Sequence, residues 1–318
     1  MRKLACGKVI LLGEHAVVYG VPAIAVGIDR GACAEARFLE AGPSRLLVRG
    51  WNVAVREDED QHDLARAFHA LLEAGRRQGP GLAPCSVEVE ADLPPGGGLG
   101  CSAAMGVAIA RAVEPTLGED ALQDRAMAWE RVFHGNPSGV DAAVAARGGC
   151  IFFRRGEPLE RVRARGALHL CVGSTGTPSS TKSMVDALAR LRAERPEAVA
   201  ESFEGVRSLV QNARLAIEAG DRPALGRLMD LNQMLLAGLF VSSSQIERMC
   251  ALARDAGALG AKLTGAGGGG SVVALVPSAA AGDAVLAAWT AAGFEGFPTS
   301  VAPEVRTHAA PAESEAAP

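Results

Sequence analysis

Leu93-Pro94-Pro95-Gly96-Gly97-Gly98-Leu99-Gly100-Cys101-Ser102-Ala103-Ala104 is the stretch on which the reading of this chain turns. Before it, Val87 and Val89 alternate with Glu88 and Glu90, the period of a strand. After it, Ser102 to Val113 carries small or apolar residues at Ala103, Ala104, Val107, Ala108 and Ala110, which predicts a helix. Strand, glycine loop and helix start aim unpaired backbone N–H groups and the positive end of a helix dipole at one spot, a site for phosphate. The plain alternative is a tight turn before a helix. Glycines without side chains let the backbone approach a phosphate closely and accept positive φ, which a plain turn does not need from so many of them.

The chain around this loop is long enough, at 318 residues, for a sizeable core and two domains. Its 48% hydrophobic and 21% charged residues fit a globular protein. A net charge of −4, with no basic stripe interleaved with aromatics, argues against a nucleic-acid partner. The seven cysteines are scattered with no C-x-x-C, against a zinc site or disulfide framework and for a reducing, cytoplasmic setting. Leu4-Ala5-Cys6-Gly7 looks like a lipoprotein box but lacks the preceding apolar segment, and no run approaches the ~20 apolar residues of a membrane span. Residues 304–318, rich in Ala, Pro and Glu, read as a disordered tail. Only Lys3, Lys8, Lys182 and Lys262 are lysines among 32 basic residues, so a compact ammonium is a candidate requirement wherever one persists.

Along the chain, Lys8 to Leu12 reads as a strand running into Gly13-Glu14-His15. Ala23 to Ile28, Ala34 to Phe38 and Leu46 to Val48 read as separate strands, with Gly, Pro and Asp between them. His62 to Arg77 and Asp120 to Phe133 read as helices. The second ends at His134-Gly135-Asn136-Pro137-Ser138-Gly139-Val140-Asp141, where Asn-Pro-Ser-Gly is strong turn chemistry. Structurally, Asp141 could simply cap the run Ala142 to Ala146. Arg154 to Gly166 looks like a hairpin or linker, which divides the chain into domains 1–165 and 166–303. Beyond it come a strand, a hydroxyl-rich loop from Ser174 to Lys182, several helices to about Gly257, and Lys262-Leu263-Thr264 before a second glycine cluster, 265–270.

That second cluster matches G-x-G-x-x-G formally, but a β-rich run follows where a dinucleotide site needs a helix. It reads better as a glycine hairpin lying close to another backbone. No G-x-x-x-x-G-K-[ST], no H-R-D and D-F-G set and no G-x-S-x-G elbow occurs. Transfer of a phosphoryl group from ATP needs a phosphate cradle, a magnesium ligand or two, a positive group and a positioner for the acceptor. The chain offers Gly96 to Ser102, Glu130, Asp141 and Lys8 for these tasks.

Three motifs in order resemble the GHMP-type small-molecule kinases: Gly7-Lys8-Val9-Ile10-Leu11-Leu12-Gly13-Glu14-His15, then Pro95 to Ala104, then Lys262 to Gly270. Glu130-Arg131-Val132-Phe133-His134-Gly135-Asn136-Pro137-Ser138-Gly139-Val140-Asp141 is most similar to the mevalonate kinases of that superfamily. Ala16-Val17 stands where a galactokinase would have Thr-Asp, and His15 where a phosphomevalonate kinase more often has Tyr.

The resemblance implies an α+β, two-domain fold, the first half like the second domain of ribosomal protein S5 and the second ferredoxin-like. It implies ATP and Mg2+ as cofactors, mevalonate as the small-molecule partner, and phosphorylation of its C5 hydroxyl on the way to isoprenoid precursors. It leaves a homodimer open. By position, Asp141 is implied as the catalytic aspartate with Lys8 beside it. Ser102 and Glu130 are implied as magnesium ligands. Pro95, Gly96, Gly97, Gly98, Leu99, Gly100, Cys101, Ser102 and Ala103 are implied to hold the nucleotide. Lys8, Glu14, His15, Asp141 and Thr181 are implied to meet the substrate. The alternatives are a kinase or decarboxylase for a mevalonate derivative, or a nucleotide-binding regulatory protein without turnover.

The chain departs from the pattern twice. Cys6 replaces a usual proline and Cys101 a usual serine. At a helix N-terminus Cys101 is expected to have a lowered pKa and to be shielded from alkylation by ATP.

Overall fold

The computed structural model describes residues 3–77, 82–94 and 96–302. Pro95 and the proposed tail, 304–318, therefore lie outside the described residues. Strands fall into two sheets, the first built from Lys3 to Arg161 and the second from Leu168 to Val301. No helix among the described residues is long and apolar enough to cross a membrane.

The first sheet is organised around one long strand. β1 (Lys3–Leu12) runs antiparallel along one edge of β2 (Ala23–Phe38). Along the other edge of β2 lie β6 (Cys150–Phe153), against its first half, and β5 (Cys85–Ala91), against its second. β3 (Arg45–Val48) and β4 (Val53–Arg56) extend the sheet beyond β5, and β7 (Glu160–Arg161) closes a hairpin on β6. Against this sheet pack α1 (Asp63–Arg76), α2 (Cys101–Val113) and α4 (Val140–Arg147), and α3 (Glu119–His134) packs on these three helices. Their alanine-rich faces, with Phe68, Leu71, Ile109 and Trp129, fill a common core against Val9, Leu11, Ile24 and Val87.

The sequence reading splits residues 23–38 into two strands, and the structure corrects this: β2 continues through Asp29-Arg30-Gly31. These residues look like a breaker because polar groups and a glycine interrupt the apolar pattern. They instead meet the second sheet. The Asp29 carboxylate accepts from the Thr299 hydroxyl at 3.2 Å and the Ser300 N–H at 3.1 Å. The Arg30 guanidinium lies 3.9 Å from the centre of the Phe297 ring. Gly31 leaves no room for a Cβ, which would fall 2.0 Å from the Ala5 carbonyl oxygen.

The second sheet is antiparallel throughout. Its order runs β11 (Glu295–Val301), β8 (Leu168–Ser174), β10 (Ser271–Val276), β9 (Gly260–Thr264). Between β8 and β9 the chain makes α5 (Thr181–Glu194), α6 (Pro196–Ala219), α7 (Arg222–Gly238) and α8 (Ser244–Asp255), and α9 (Ala279–Ala291) precedes β11. The described fold is thus α+β with two sheets, as expected. The 265–270 cluster is the hairpin between β9 and β10, and at Gly265 it comes against Gly98 of the first glycine loop.

Candidate active site

Lys8 stands where β1 leaves its regular register with β2. The pairing shifts between Cys6 and Lys8, and such an irregularity re-aims the side chains beside it. At that point the Lys8 N–H donates to the Leu99 carbonyl at 2.8 Å, and Nζ donates to the Gly98 carbonyl at 3.0 Å. Both backbone and side chain of Lys8 are therefore tied to the glycine loop. Its Nζ also lies 3.2 Å from Asp141 Oδ1, an ion pair with the lysine buried and the carboxylate about one-third exposed.

Asp141 is presented by α4, which begins two residues earlier than the alanine pattern suggests. Gly139, with φ 94°, occupies the cap and Asp141 sits in the first turn. The capping role considered for it from sequence is therefore filled by another residue, which leaves its carboxylate to face the cleft.

The glycine loop ends at Gly100, in the left-handed region with φ 73°, and α2 begins at Cys101. The Ala104 N–H donates to the Gly100 carbonyl, so the N–H groups of Cys101, Ser102 and Ala103 precede the helical ladder. Ser102 donates to Glu130 Oε1 at 2.5 Å and accepts from Trp129 Nε1 at 3.0 Å. α2 and α3 can approach this closely because Gly106 faces the indole, where a Cβ would fall 3.1 Å from Trp129. Burial pushes the Glu130 carboxyl up to about 7, and the neighbouring Asp141 charge adds to that, while the Ser102 hydroxyl and Lys8 act the other way. His134 Nε2 lies 3.6 Å from Glu130 Oε2, and burial lowers its pKa.

Two expectations need correction. Cys101 does not have an activated thiol. Burial, with Asp92 and Glu130 nearby, pushes it up to about 11, and its Sγ donates to the Leu93 carbonyl at 3.5 Å. Desolvation outweighs the helix dipole here because the side chain points into the core and not out of the helix end. Glu14 does not line the cleft. Its side chain is fully buried and ion-paired to Lys262 Nζ, which is equally buried. Burial pushes the Glu14 carboxyl up and the Lys262 ammonium down, and each charge pulls the other back.

A cleft of about 490 Å3 opens over these groups. Lys8, Gly98, Glu130 and Asp141 form its floor, with His15, Gly265 and Ala266 on its lining, and Thr181 and Lys182 enter from the start of α5. Of the remaining loop residues named from sequence, Gly96, Gly97, Leu99, Gly100, Ser102 and Ala103 lie behind Gly98 or along the helix start, outside this lining. The sequence reading missed Trp129, Phe133, Val185 and Asp186. Trp129 is adjacent to Glu130 and is one of three tryptophans, a signal that a polar handle was available beside the carboxylate. The volume suits a small phosphorylated ligand, and the floor juxtaposes a cation, two carboxylates and the glycine loop at Gly98.

Known proteins resemble this chain over most of its length. The family model for the GHMP kinases N terminal domain matches residues 63–149, and that for GHMP kinases C terminal matches residues 213–295. The mevalonate kinase of Thermococcus gammatolerans is 35% identical over 307 residues, covering 87% of this chain and 90% of that one. That of Aeropyrum pernix is 36% identical over 291 residues, covering 86% and 88%. Among solved structures, L. major mevalonate kinase in complex with R-mevalonate superposes with a TM-score of 0.82 at 29% identity, over 96% of this chain and 97% of that one. The fold is the two-domain fold of these kinases. The chain belongs to the GHMP kinase family and, within it, to the mevalonate kinases.

Proposed function

We propose that this chain transfers the γ-phosphoryl group of ATP to the C5 hydroxyl of mevalonate, giving 5-phosphomevalonate and ADP. The observation that carries the proposal is the Lys8–Asp141 pair on the cleft floor, tied through Lys8 to the carbonyl of Gly98 in the glycine loop. The identity of the acceptor is supported by the relatives named mevalonate kinase, one of them solved with R-mevalonate.

In this proposal the loop from Gly96 to Gly100 and the N–H groups opening α2 receive the nucleotide phosphates. Asp141 accepts a hydrogen bond from the C5 hydroxyl and holds its oxygen in line with the phosphoryl group. Phosphoryl transfer has little covalent chemistry for a protein to perform, so positioning and charge supply the rate. Lys8 fixes the Asp141 carboxylate and sets a positive charge beside the transferring oxygens. His15 and Thr181 border the acceptor volume, and Lys182 adds a second cation to the cleft lining.

Ser102 and Glu130 fit a magnesium ion. Both offer hard oxygen donors, and a carboxylate that burial pushes up to about 7 is one that a divalent cation beside it would hold ionised. The described residues contain no cluster of three His, Cys, Asp or Glu able to hold a metal alone, so phosphates and water would complete the shell. When bound, the ion would neutralise charge on the phosphates.

A coupled ADP-release assay with R-mevalonate and 5-phosphomevalonate as separate acceptors tests the proposal. Saturable ADP release with mevalonate is expected. Faster release with phosphomevalonate would move the chain to a derivative kinase, and release with neither acceptor would leave a nucleotide-binding regulator.

A further inference from the structure

Glu14 and Lys262 are both fully buried, one at the end of the first motif and the other at the start of the third. Two desolvated charges are a costly way to fill a core. Replacing such a pair with apolar side chains of similar volume is often neutral or stabilising, so its presence calls for a reason other than stability. The surrounding geometry supplies one. Lys262 Nζ also donates to the Leu263 carbonyl at 2.5 Å. Glu14 Oε2 accepts from Asn232 Nδ2 of α7 at 3.2 Å, and the Asn232 oxygen is a buried side-chain atom with no hydrogen-bond partner among the described residues. The next residue after Glu14 is His15, a non-glycine residue at φ 60° and ψ −53°, the centre of a strained γ-turn that the Ala16 N–H closes on the Glu14 carbonyl at 2.6 Å. A residue held there persists only where its surroundings over-determine it. His15 Nε2 in turn lies 2.7 Å from the Ala266 carbonyl oxygen of the β9–β10 hairpin, and the Ile10 N–H donates to Thr264 Oγ1 at 2.8 Å. The first and third motifs are thus laced together, and His15 and Ala266 emerge into the cleft from that lacing.

We propose that Glu14 and Lys262 form a positioning pair for phosphoryl transfer: their buried contact holds the His15 backbone in its strained γ-turn and, through the His15–Ala266 contact, sets the cleft wall against which the acceptor is placed. This rests on reading the cleft as a mevalonate kinase site. Neither residue touches the reacting atoms. Each acts through His15 and the hairpin, and a displacement of the order of 1 Å at that wall costs about 100-fold in rate.

Two variants separate positioning from stability. Glu14→Asp keeps the charge and withdraws the carboxylate by one methylene. Glu14→Leu with Lys262→Met removes both charges and keeps apolar volume. Thermal midpoints and separate kcat and KM values for mevalonate and ATP are measured for each. Midpoints within about 3 °C of wild type are expected for both. The mevalonate kcat/KM is expected to fall by about 10- to 100-fold and the ATP KM to stay within about threefold. Either variant with both wild-type midpoint and wild-type kinetics overturns the proposal. So does an activity loss that tracks the midpoint, including a Glu14→Asp protein that does not fold, since the pair is then a stability element. If the double variant alone fails to fold, Glu14→Asp decides. A wild-type protein that releases no ADP with mevalonate overturns the functional reading, and the pair's role in it falls with it. Active wild type with indifferent variants overturns the pair alone.

Discussion

Lys8 Nζ binds the Asp141 carboxylate at 3.2 Å and the Gly98 carbonyl at 3.0 Å at once, so a single buried ammonium joins the acceptor positioner to the phosphate loop. An arginine would not fit the role, because its wider guanidinium fork needs more room than the point charge of an ammonium. A Cβ on Gly100 would already meet Lys8 Cγ at 3.0 Å.

The Asp141 side of this junction is tested by Asp141→Asn, which keeps shape and removes charge. Turnover is expected to fall by at least about 100-fold, with the ATP KM changed by less than about threefold, since the loop and α2 start are untouched. Steady-state kinetics with both substrates varied measures this. A variant within about threefold of wild-type turnover, under ~1 kcal/mol, removes Asp141 from the chemistry.

Glu130 carries a pH signature. Its carboxyl is raised from 4.5 to about 7 in the folded, ligand-free protein, mainly by burial. The folded state therefore holds this proton more tightly than the unfolded chain. The resulting stability is fully present below pH ~4.5 and is lost as pH rises towards and through ~7. A shift of that size corresponds to about 3 kcal/mol. The ligand-free thermal midpoint, followed from pH 5.5 to 8, is expected to fall, and Glu130→Gln is expected to flatten that fall while abolishing magnesium-dependent turnover. A variant whose midpoint keeps the wild-type slope would assign the pH dependence elsewhere.

How far the sequence reveals this site depends on whether a residue's task is local. Gly96 to Gly100 announce a close backbone approach in their own composition, and the 265–270 hairpin does the same. Lysine scarcity is informative for a related reason: Lys8 and Lys182 line the cleft and Lys262 lies buried behind it, and at Lys8 and Lys262 a compact ammonium fits between close partners. Asn232 is invisible at that level, because its partner Glu14 is 218 residues away, and Trp129 shows only its adjacency to Glu130, since its partner Ser102 is 27 residues away. Asp29 and Arg30 mislead for the same reason, since what keeps them in a strand belongs to the other sheet. Glu14 was placed in the right neighbourhood but on the wrong side of the wall. Burial is a tertiary property, and a Glu-His pair reads alike whether it faces a ligand or an ammonium.

Cys101 is expected to react slowly with iodoacetamide at neutral pH, because its thiol is pushed up to about 11 and donates to the Leu93 carbonyl. Only about one part in 10,000 of such a thiol is thiolate at pH 7, and the thiolate is the nucleophile. Peptide mapping after timed labelling is expected to show slow Cys101 modification, at the same rate with and without ATP. Rapid labelling that nucleotide suppresses would restore the activated-thiol reading.

The contact between the two glycine clusters can be separated from the strain that glycines relieve. Gly265 has φ 89°, and a Cβ there would fall 3.1 Å from both Cα and the carbonyl oxygen of Gly98. Gly257 has φ 96°, yet a Cβ there would meet nothing within 4 Å. Alanine at either position takes on left-handed backbone strain of about 1–3 kcal/mol, which lowers the thermal midpoint in both variants. Only at Gly265 does the new methyl also push on the loop whose Gly98 carbonyl anchors Lys8. Gly265→Ala is therefore expected to lose about tenfold or more in kcat/KM for ATP, while Gly257→Ala keeps wild-type kinetics at temperatures where both are folded. Equal kinetic losses in the two would mean that the hairpin contributes stability and leaves the phosphate loop unaffected. A loss confined to Gly265→Ala would show that contact with the second glycine cluster helps hold the loop for the nucleotide.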